Sequence, residues 1–271
     1  MKTMENGVKA NKSLGQNFLK DQSIIEQILA TADIQSIDRV FEIGPGTGRL
    51  TDALDGRAEK IVAMELDHRL VERLTEHFEA SEGVSILEGN ILDVNLNEML
   101  AHAEFESGRY KVIANIPYYI TAPIIRTLLS LETQPESLTL MVQKEVAERM
   151  TAAPGKMSLL SIMVQYYSDA RIALIVPKTA FDPVPKVDSA VVHLVPKRAF
   201  DPEEDRKLFR IARAGFAARR KTLANNLSSS FHIEKSAVTS LLEACGLSVD
   251  IRAQALSLKD WVRLREKLSE I

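Results

Sequence analysis

The chain has 271 residues, 45% of them hydrophobic, which is enough for one large α/β domain and a smaller second domain. Its net charge of −3 argues against a protein that binds polyanions over its whole surface. The charge is uneven, however, because residues 197–271 carry +5 and residues 1–196 carry −8. We therefore expect any contact with nucleic acid to be local and to involve the C-terminal part.

The N-terminal ten residues are polar and lack the apolar region of a signal peptide. No apolar run approaches the roughly 20 residues that a transmembrane helix needs. The single cysteine, Cys245, cannot form an internal disulfide, and no cysteine pair has zinc-ligand spacing. The five histidines are scattered, without metal or catalytic-triad spacing. These features predict a cytoplasmic protein that has neither a membrane span nor a metal site.

Short apolar runs alternate with amphipathic helical patterns in the first half of the chain. The runs predict strands at residues 39–43, 60–65, 84–88, 110–114 and 138–142. Strands that alternate with helices indicate βαβ units and a parallel sheet. Two later runs, 170–176 and 190–195, are separated by a proline-rich loop with no room for a crossover helix. The last pair of strands is therefore predicted to be antiparallel.

A glycine-rich loop at residues 44–48 follows the first predicted strand and opens a helix. Gly44 and Gly46 permit a tight turn and the close approach of a ligand. Glu65 ends the next strand about 20 residues later, where an acid accepts hydrogen bonds from ribose hydroxyls. The glycine spacing differs from that of dinucleotide sites, and Pro45 lacks a donor that a pyrophosphate would use. The pattern predicts a nucleoside ligand without phosphate, such as S-adenosylmethionine.

The tetrapeptide Asn115-Ile116-Pro117-Tyr118 follows the fourth predicted strand, at the rim where open α/β sheets bind ligands. Asn-x-Pro-Tyr matches the motif of amino-group methyltransferases. The side-chain oxygen of Asn115 and a nearby main-chain carbonyl can accept both N–H bonds of an adenine amine. Those bonds direct the nitrogen lone pair at the methyl group. Pro117 stiffens the turn, and Tyr118 offers a face on which a base can stack.

From residue 201 onward only helical patterns are evident, at residues 202–216, 219–227, 234–244 and 257–268. Asp201 and Pro202 form a favourable helix start, since the aspartate caps the helix and proline suits its first turn. We place a domain boundary near residue 196. It divides a catalytic domain at 1–196 from a helical domain at 197–271.

Together these motifs resemble the KsgA/RsmA family of small-subunit ribosomal RNA adenine dimethyltransferases, from about residue 13 to the C-terminus. The resemblance implies a Rossmann-like class I methyltransferase sheet with seven strands and a small all-α C-terminal domain that binds RNA. It implies S-adenosylmethionine as cofactor and dimethylation of two adjacent adenosines in a hairpin near the 3′ end of 16S rRNA. The partner would be this rRNA or an immature small subunit, with a role in subunit biogenesis, and the chain would be a monomer.

The resemblance also assigns site residues. The cofactor contacts are Asn17, Leu19, Gly44, Gly46, Glu65, Asn90 and Asn115. The catalytic residues are Asn115, Ile116, Pro117, Tyr118 and Phe181. Phe181 would form the second aromatic wall of the adenine pocket, with a core residue as the alternative. Residues 216–223 resemble the basic helix of the family's C-terminal domain. Our candidates for phosphate contacts are Arg213, Arg219, Arg220 and Lys221, with an ordinary solvated helix face as the alternative.

At residue 90 the chain departs from the family pattern. The family commonly has an aspartate here, which accepts a hydrogen bond from the adenine amine of the cofactor. The side-chain oxygen of Asn90 can accept the same bond, although it is neutral, and Asp93 is a nearby alternative.

Three other functions remain open from the sequence. An Erm-like enzyme would methylate a 23S rRNA adenine, although the segments 186–190 and 219–222 favour the small-subunit enzyme. A non-catalytic RNA-binding assembly factor would share the scaffold, although the intact motif at 115–118 speaks against it. An NAD-dependent oxidoreductase is disfavoured by the loop spacing and by the lack of a catalytic histidine or Tyr-x-x-x-Lys pair.

Overall fold

The structure is a computed structural model that describes residues 10–11, 14–197 and 201–268. By its internal contacts the chain forms two compact units, 1–147 with 168–199 and 148–167 with 200–271. The second unit thus takes in residues 148–167, which the boundary expected near residue 196 had left with the first domain.

The first unit contains the strands and a set of helices between them. The strands are β1 (Phe18–Leu19), β2 (Arg39–Ile43), β3 (Lys60–Glu65), β4 (Val84–Glu88), β5 (Tyr110–Asn115), β6 (Ser137–Gln143), β7 (Ser168–Val176), β8 (Phe181–Asp182) and β9 (Ser189–Pro196). The helices are α1 (Gln22–Ala32), α2 (Arg49–Leu54), α3 (His68–His77), α4 (Leu96–His102), α5 (Thr121–Leu129) and α6 (Lys144–Met150), the last of which ends in the second unit.

Within the described residues, seven strands form one sheet in the order β4-β3-β2-β5-β6-β9-β7. The neighbours from β4 to β6 are parallel, and β9 is antiparallel to both β6 and β7. This confirms the predicted seven-stranded sheet with an antiparallel last pair. A separate two-stranded antiparallel ladder joins β1 to β8.

The central strands β2, β3, β5 and β6 are buried along nearly their whole length. A parallel strand that is covered on both faces needs apolar side chains at consecutive positions, which is why these strands read as apolar runs. The chain proceeds outward from β2 through β3 to β4 and then returns to β5 on the other side of β2. The carboxyl ends of β2 and β5 therefore form the switch point at which open α/β sheets bind ligands.

The second unit contains helices joined by turns and loops, and no strand among its described residues. Its helices are α7 (Leu159–Tyr167), α8 (Pro202–Gly215), α9 (Leu223–Phe231), α10 (Lys235–Ala244) and α11 (Leu258–Leu268). Residues 148–167 belong here because Tyr166 and Tyr167 of α7 pack on Phe209 of α8, with ring centroids 5.8 and 6.0 Å apart. The prediction of the segment at 219–227 was wrong at its start, since α9 begins only at Leu223.

Candidate active site

A cavity in the first unit lies at the carboxyl ends of β2, β3 and β5. Its lining includes every residue predicted to contact a cofactor: Asn17, Leu19, Gly44, Gly46, Glu65, Asn90 and Asn115. Three of the predicted catalytic residues, Ile116, Pro117 and Tyr118, line it as well. The fold thus brings together side chains from five separate segments of the chain.

The glycine turn, residues 44–48, leaves β2 in a conformation that favours glycine. The φ angles of Gly44 and Gly46 are 68° and 60°, in the left-handed region that L side chains rarely adopt. A β-carbon at Gly46 would also lie 3.1 Å from the ring of Phe18. Both positions therefore require glycine, Gly44 for its backbone conformation and Gly46 also for the close packing of Phe18.

Glu65, which is 6% exposed, holds the glycine turn in place. Its Oε2 accepts a hydrogen bond from the amide of Gly46 at 3.0 Å, and its Oε1 accepts from the amides of Leu66 and Asp67 at 2.9 Å. Burial raises the pKa of Glu65, and these three bonds oppose that rise. A carboxylate accepts about four hydrogen bonds, so about one position remains for a ribose hydroxyl.

Glu42, on β2 beneath the glycine turn, was not singled out from the sequence. It lines the cavity, is 1% exposed, and accepts a hydrogen bond from the Thr51 hydroxyl at 2.7 Å. Burial raises the pKa of Glu42 to about 8, with a further rise from the nearby charges of Glu65 and Asp52. The feature of the sequence that could have identified Glu42 is an acidic residue between apolar residues of a predicted strand.

The N-terminal segment, residues 14–19, lines the cavity and is tied to the rim of the sheet. The side-chain amide of Gln16 donates to Asp67 Oδ2 at 2.9 Å, and Asp67 also caps α3. Arg69, and then Gln16, lower the pKa of Asp67 to about 2. Sequence reasoning missed this anchor, because Gln16 and Asp67 are 51 positions apart.

Asn115 ends β5 with its side chain in a defined orientation. Its Nδ2 donates to the main-chain carbonyl of Asn17 at 3.3 Å, and this bond assigns which way the amide points. Oδ1 accepts no hydrogen bond from the described residues, so it is available to a ligand. The nearby ring of Tyr118 is held because its hydroxyl shares a 2.7 Å hydrogen bond with Ser189.

Asn90 and Asp93 are distinguished by their positions. Asn90 lines the cavity, whereas Asp93 is not among the lining residues. The Oδ1 of Asn90 accepts from the amide of Leu92 at 3.1 Å, and its Nδ2 donates to Asp93 at 2.8 Å. The side-chain oxygen of Asn90 is therefore already used to close its own turn, with one further lone pair left.

Phe181 does not line the cavity. Its side chain is 1% exposed and belongs to the core cluster that contains Leu19, Ile25 and Val191. The pairing of β1 with β8 places Phe181 opposite Leu19 and draws the ring into that cluster. The structure therefore places Phe181 in the core and corrects the expected second wall of an adenine pocket.

The basic residues predicted to contact phosphates lie on the surface of the second unit. Arg213, Arg219, Arg220 and Lys221 are all exposed, and none has an ion-pair partner among the described residues. The last three belong to a turn at residues 216–221, here called the basic turn, rather than to the predicted helix.

The basic turn is held by Asn226, which is 5% exposed. Its Nδ2 donates to the carbonyls of Gly215 and Ala218, at 2.6 and 3.1 Å. Gly215 allows close packing, because a β-carbon there would lie 2.5 Å from Trp261. Neither Asn226 nor this close packing was identified from the sequence.

Two absences concern only the part of the chain that the structure describes. No helix there is long and apolar enough to cross a membrane. No group of three or more His, Cys, Asp or Glu side chains is arranged there to hold a metal ion.

Comparison with known proteins agrees with this geometry. The profile of the family "Ribosomal RNA adenine dimethylase" matches residues 7–269. A protein named ribosomal RNA small subunit methyltransferase A from Dehalococcoides mccartyi is 40% identical, over 95% of this chain and 88% of its own length. One of the same name from Listeria monocytogenes is 41% identical, over 97% of this chain and 92% of its own length.

Two solved structures cover nearly the whole chain. A dimethyladenosine transferase from Plasmodium falciparum has a TM-score of 0.77 and 27% identity, over 93% of this chain and 98% of its own. The 23S rRNA methyltransferase ErmE has a TM-score of 0.71 and 26% identity, over 93% of this chain and 100% of its own. The family match covers most of the chain and confirms the resemblance seen in the sequence. The chain belongs to the ribosomal RNA adenine dimethylase family.

Proposed function

We propose that this chain is an rRNA adenine N6-dimethyltransferase that uses S-adenosylmethionine and modifies two adjacent adenosines in a hairpin near the 3′ end of 16S rRNA. The observation that carries the proposal is Asn115, whose amide oxygen is available beside the glycine turn in a chain of this family. The small-subunit substrate is supported by the names of relatives at 40–41% identity.

The cavity fits S-adenosylmethionine in its donor and acceptor groups. Gly44 and Gly46 expose backbone, and Glu65 offers a carboxylate to a ribose hydroxyl. When bound, S-adenosylmethionine supplies a methyl group on a positively charged sulfur. Asn17 and Asn90 line other parts of the same cavity and would contact the rest of the cofactor.

Asn115 and its neighbours would orient the target amine. Asn115 Oδ1 accepts one N–H of adenine, and a main-chain carbonyl of the 115–118 turn accepts the other, so the lone pair faces the methyl carbon. Tyr118, held through Ser189, presents its ring to the base. A nitrogen–carbon bond forms as the carbon–sulfur bond breaks, with its electron pair left on sulfur.

No general base is needed before the attack, because the amine proton becomes acidic only after methylation. The nitrogen then releases its proton to water. In keeping with this, no histidine is found among the described residues that line the cavity. The protein would act through positioning and electrostatics.

The basic turn is our candidate for phosphate contacts. Its exposed cations are not neutralised by ion pairs within the described residues, so they are available to an RNA backbone. Affinity for RNA should therefore fall steeply as salt rises. An affinity that does not depend on salt would contradict this assignment.

The experiment compares immature small subunits with large subunits as substrates for the protein and labelled S-adenosylmethionine. Label in N6,N6-dimethyladenosine of 16S rRNA supports the proposal. Label in 23S rRNA would instead support an Erm-like enzyme, and cofactor binding without label in either would support a non-catalytic assembly factor. Relatives at 40–41% identity favour the first outcome.

The variant Asn115→Ala tests the mechanism. We expect methylation to be abolished while calorimetric affinity for S-adenosylmethionine changes little, because the variant loses the acceptor of the target amine. Turnover at the wild-type rate would refute the role given to Asn115.

A further inference from the structure

Tyr119, directly after the proposed target-amine motif, is an aromatic side chain that the proposed reaction does not use. Of the phenylalanine, tyrosine and tryptophan side chains in the described residues it alone is mostly exposed, at 59%. It also lines the cavity, so the exposed ring lies at the cavity rim. Its neighbour Tyr118 is partly buried and fixed through Ser189. The two adjacent tyrosines therefore differ, because one is anchored beside the cavity and the other is open to solvent.

The ring of Tyr119 rests on the backbone of the N-terminal segment. A β-carbon at Gly15 would lie 3.2 and 3.3 Å from two ring atoms of Tyr119, so the absence of a side chain there lets the ring pack closely. Gly15 is itself held, since the side chain of Asn17 donates to its carbonyl at 3.0 Å. The ring thus has one contact with ordered backbone and leaves much of its surface to solvent. Such a platform loses little conformational freedom when a ligand covers it.

The chemistry of the substrate indicates what would cover this ring. A base can reach a cavity of this kind only after it leaves its stack, and the nucleotides beside it then lose a stacking partner. An aromatic side chain at the rim can replace that partner, and it does so for any base because every base has a flat π-face. The identity of this partner rests on the proposed function, in which the target is a base in RNA.

We propose that Tyr119 is a stacking platform for the nucleobase adjacent to the adenosine that is methylated. It would be a substrate-positioning residue, since stacking on the flanking base, whatever that base is, helps to hold the target adenosine at the cavity. Tyr118 would hold the target itself and Tyr119 its neighbour.

The test combines protein variants with altered RNA. The probe is a synthetic RNA hairpin with two adjacent adenosines in its loop, whose flanking nucleotides are replaced one at a time by abasic residues. Dissociation constants are measured by fluorescence anisotropy for the wild type, Tyr119→Ala, Tyr119→Leu and Tyr119→Phe. The leucine variant keeps apolar volume without a π-face, and the phenylalanine variant keeps the π-face without the hydroxyl.

We expect Tyr119→Ala and Tyr119→Leu to weaken binding of the intact hairpin roughly tenfold, the factor typical of one lost aromatic–base stack. Tyr119→Phe should stay within about twofold of the wild type. An abasic residue at one flanking position should weaken wild-type binding by a similar factor and leave Tyr119→Ala unchanged. This loss of additivity is a result that a purely structural role would not produce.

Two outcomes would overturn the proposal. The first is equal wild-type affinity for the intact and abasic hairpins, and the second is an equal abasic penalty in the wild type and Tyr119→Ala. A fall in calorimetric affinity for S-adenosylmethionine in Tyr119→Ala, with either outcome, would mean that the ring only covers the cofactor. These failures are distinct from failure of the proposed function, which would appear as no methylation of immature small subunits by the wild type.

Discussion

Two turns carry the chemistry proposed for this protein, the glycine turn of the first unit and the basic turn of the second. Each is held by one buried polar side chain, but with opposite hydrogen-bonding roles. Glu65 accepts bonds from backbone amides, whereas Asn226 donates bonds to backbone carbonyls. Glu65 also lines the cavity, while the buried amide of Asn226 supports cations that are exposed on its turn.

The difference separates two kinds of functional turn. In the glycine turn the residue that organises the backbone is also a candidate ligand contact, so losing it should affect stability and binding together. In the basic turn Asn226 holds the backbone and is not itself a candidate ligand contact. Its loss should therefore change the positions of the cations on the turn. The first region should respond to pH and the second to salt, because buried carboxyls titrate while exposed cations are screened.

The largest effect is expected from Glu65→Gln. Glutamine has one side-chain oxygen, so it cannot satisfy Gly46 on one side and both Leu66 and Asp67 on the other. We expect affinity for S-adenosylmethionine, measured by calorimetry, to fall about 100-fold or more, with a loss of about 2 kcal/mol in unfolding free energy.

Glu88→Gln is the matched control for Glu65. Glu88 is the neighbour of Glu65 in register on β4, is exposed, and bonds to His68 on the surface. It should change stability by less than about 1 kcal/mol and leave cofactor affinity intact. If both variants bind the cofactor equally well, Glu65 is not the organising acid of the glycine turn.

A smaller and more selective effect on ligand affinity is expected from Asn226→Ala. The change leaves the carbonyl of Gly215 without a donor, whereas the carbonyl of Ala218 keeps the amide of Lys221, so we expect a loss of about 2 kcal/mol in unfolding free energy in chemical denaturation. We expect affinity for RNA to fall about tenfold and its salt dependence to become shallower, since fewer phosphates are contacted. Cofactor affinity should not change.

Asn225→Ala, at the adjacent position, is the matched control for Asn226→Ala. Asn225 is on the same helix and partly exposed, and only its backbone amide takes part in the cap from Thr222. Asn225→Ala should therefore stay within about 0.5 kcal/mol of the wild type. If the salt dependence of RNA affinity is the same in Asn226→Ala and the wild type, Asn226 does not position the cations of the basic turn.

The smallest effect concerns Glu42, and its sign depends on pH. Because the pKa of Glu42 is raised to about 8 by burial, the unfolded chain releases this proton at lower pH than the folded one. The contribution of protonated Glu42 to the free energy of unfolding is fully present below the ordinary glutamate pKa. It is lost as pH rises toward 8. Glu42→Gln, which stays neutral, should raise Tm by about 5 °C at pH 9 and much less at pH 5.

Glu82→Gln is the control for this pH dependence, because Glu82 is exposed. Thermal unfolding without cofactor, from pH 5 to pH 9, is the measurement. The same Tm difference from wild type at both ends of the range would contradict an ionisation linked to Glu42.

The architecture of the sheet followed from the sequence because burial on both faces forces consecutive apolar residues. All seven strands of the sheet lie within two residues of the predicted bounds. The boundary between units did not follow, since α7 lies between two strands in sequence and is drawn into the second unit by the contacts of Tyr166 and Tyr167 with Phe209. Such contacts join residues more than 40 positions apart and leave no local pattern.

The sites divide in the same way. Gly44, Glu65 and Asn115 were predictable because each follows or ends a strand, and parallel strands end at one edge. Phe181 was misplaced because a motif cannot show whether a ring faces a cavity or the core. Asn226 and Gln16 were missed because a hydrogen bond to a residue well separated along the chain has no signature in spacing.

The sequence by itself determined which functional groups lie at the ends of strands and in what order along the chain. They are a glycine turn, an acid and an amide, and they are followed by cations near the C-terminus. Local physics suffices for this, since backbone conformation and apolar periodicity are properties of neighbouring residues. Only the tertiary structure decided three further features. Glu65 accepts hydrogen bonds mainly from backbone amides, the side-chain oxygen of Asn115 stays available, and the ring of Tyr119 is exposed at the rim of the cavity. These depend on which distant groups approach each side chain, and folding alone brings those groups together.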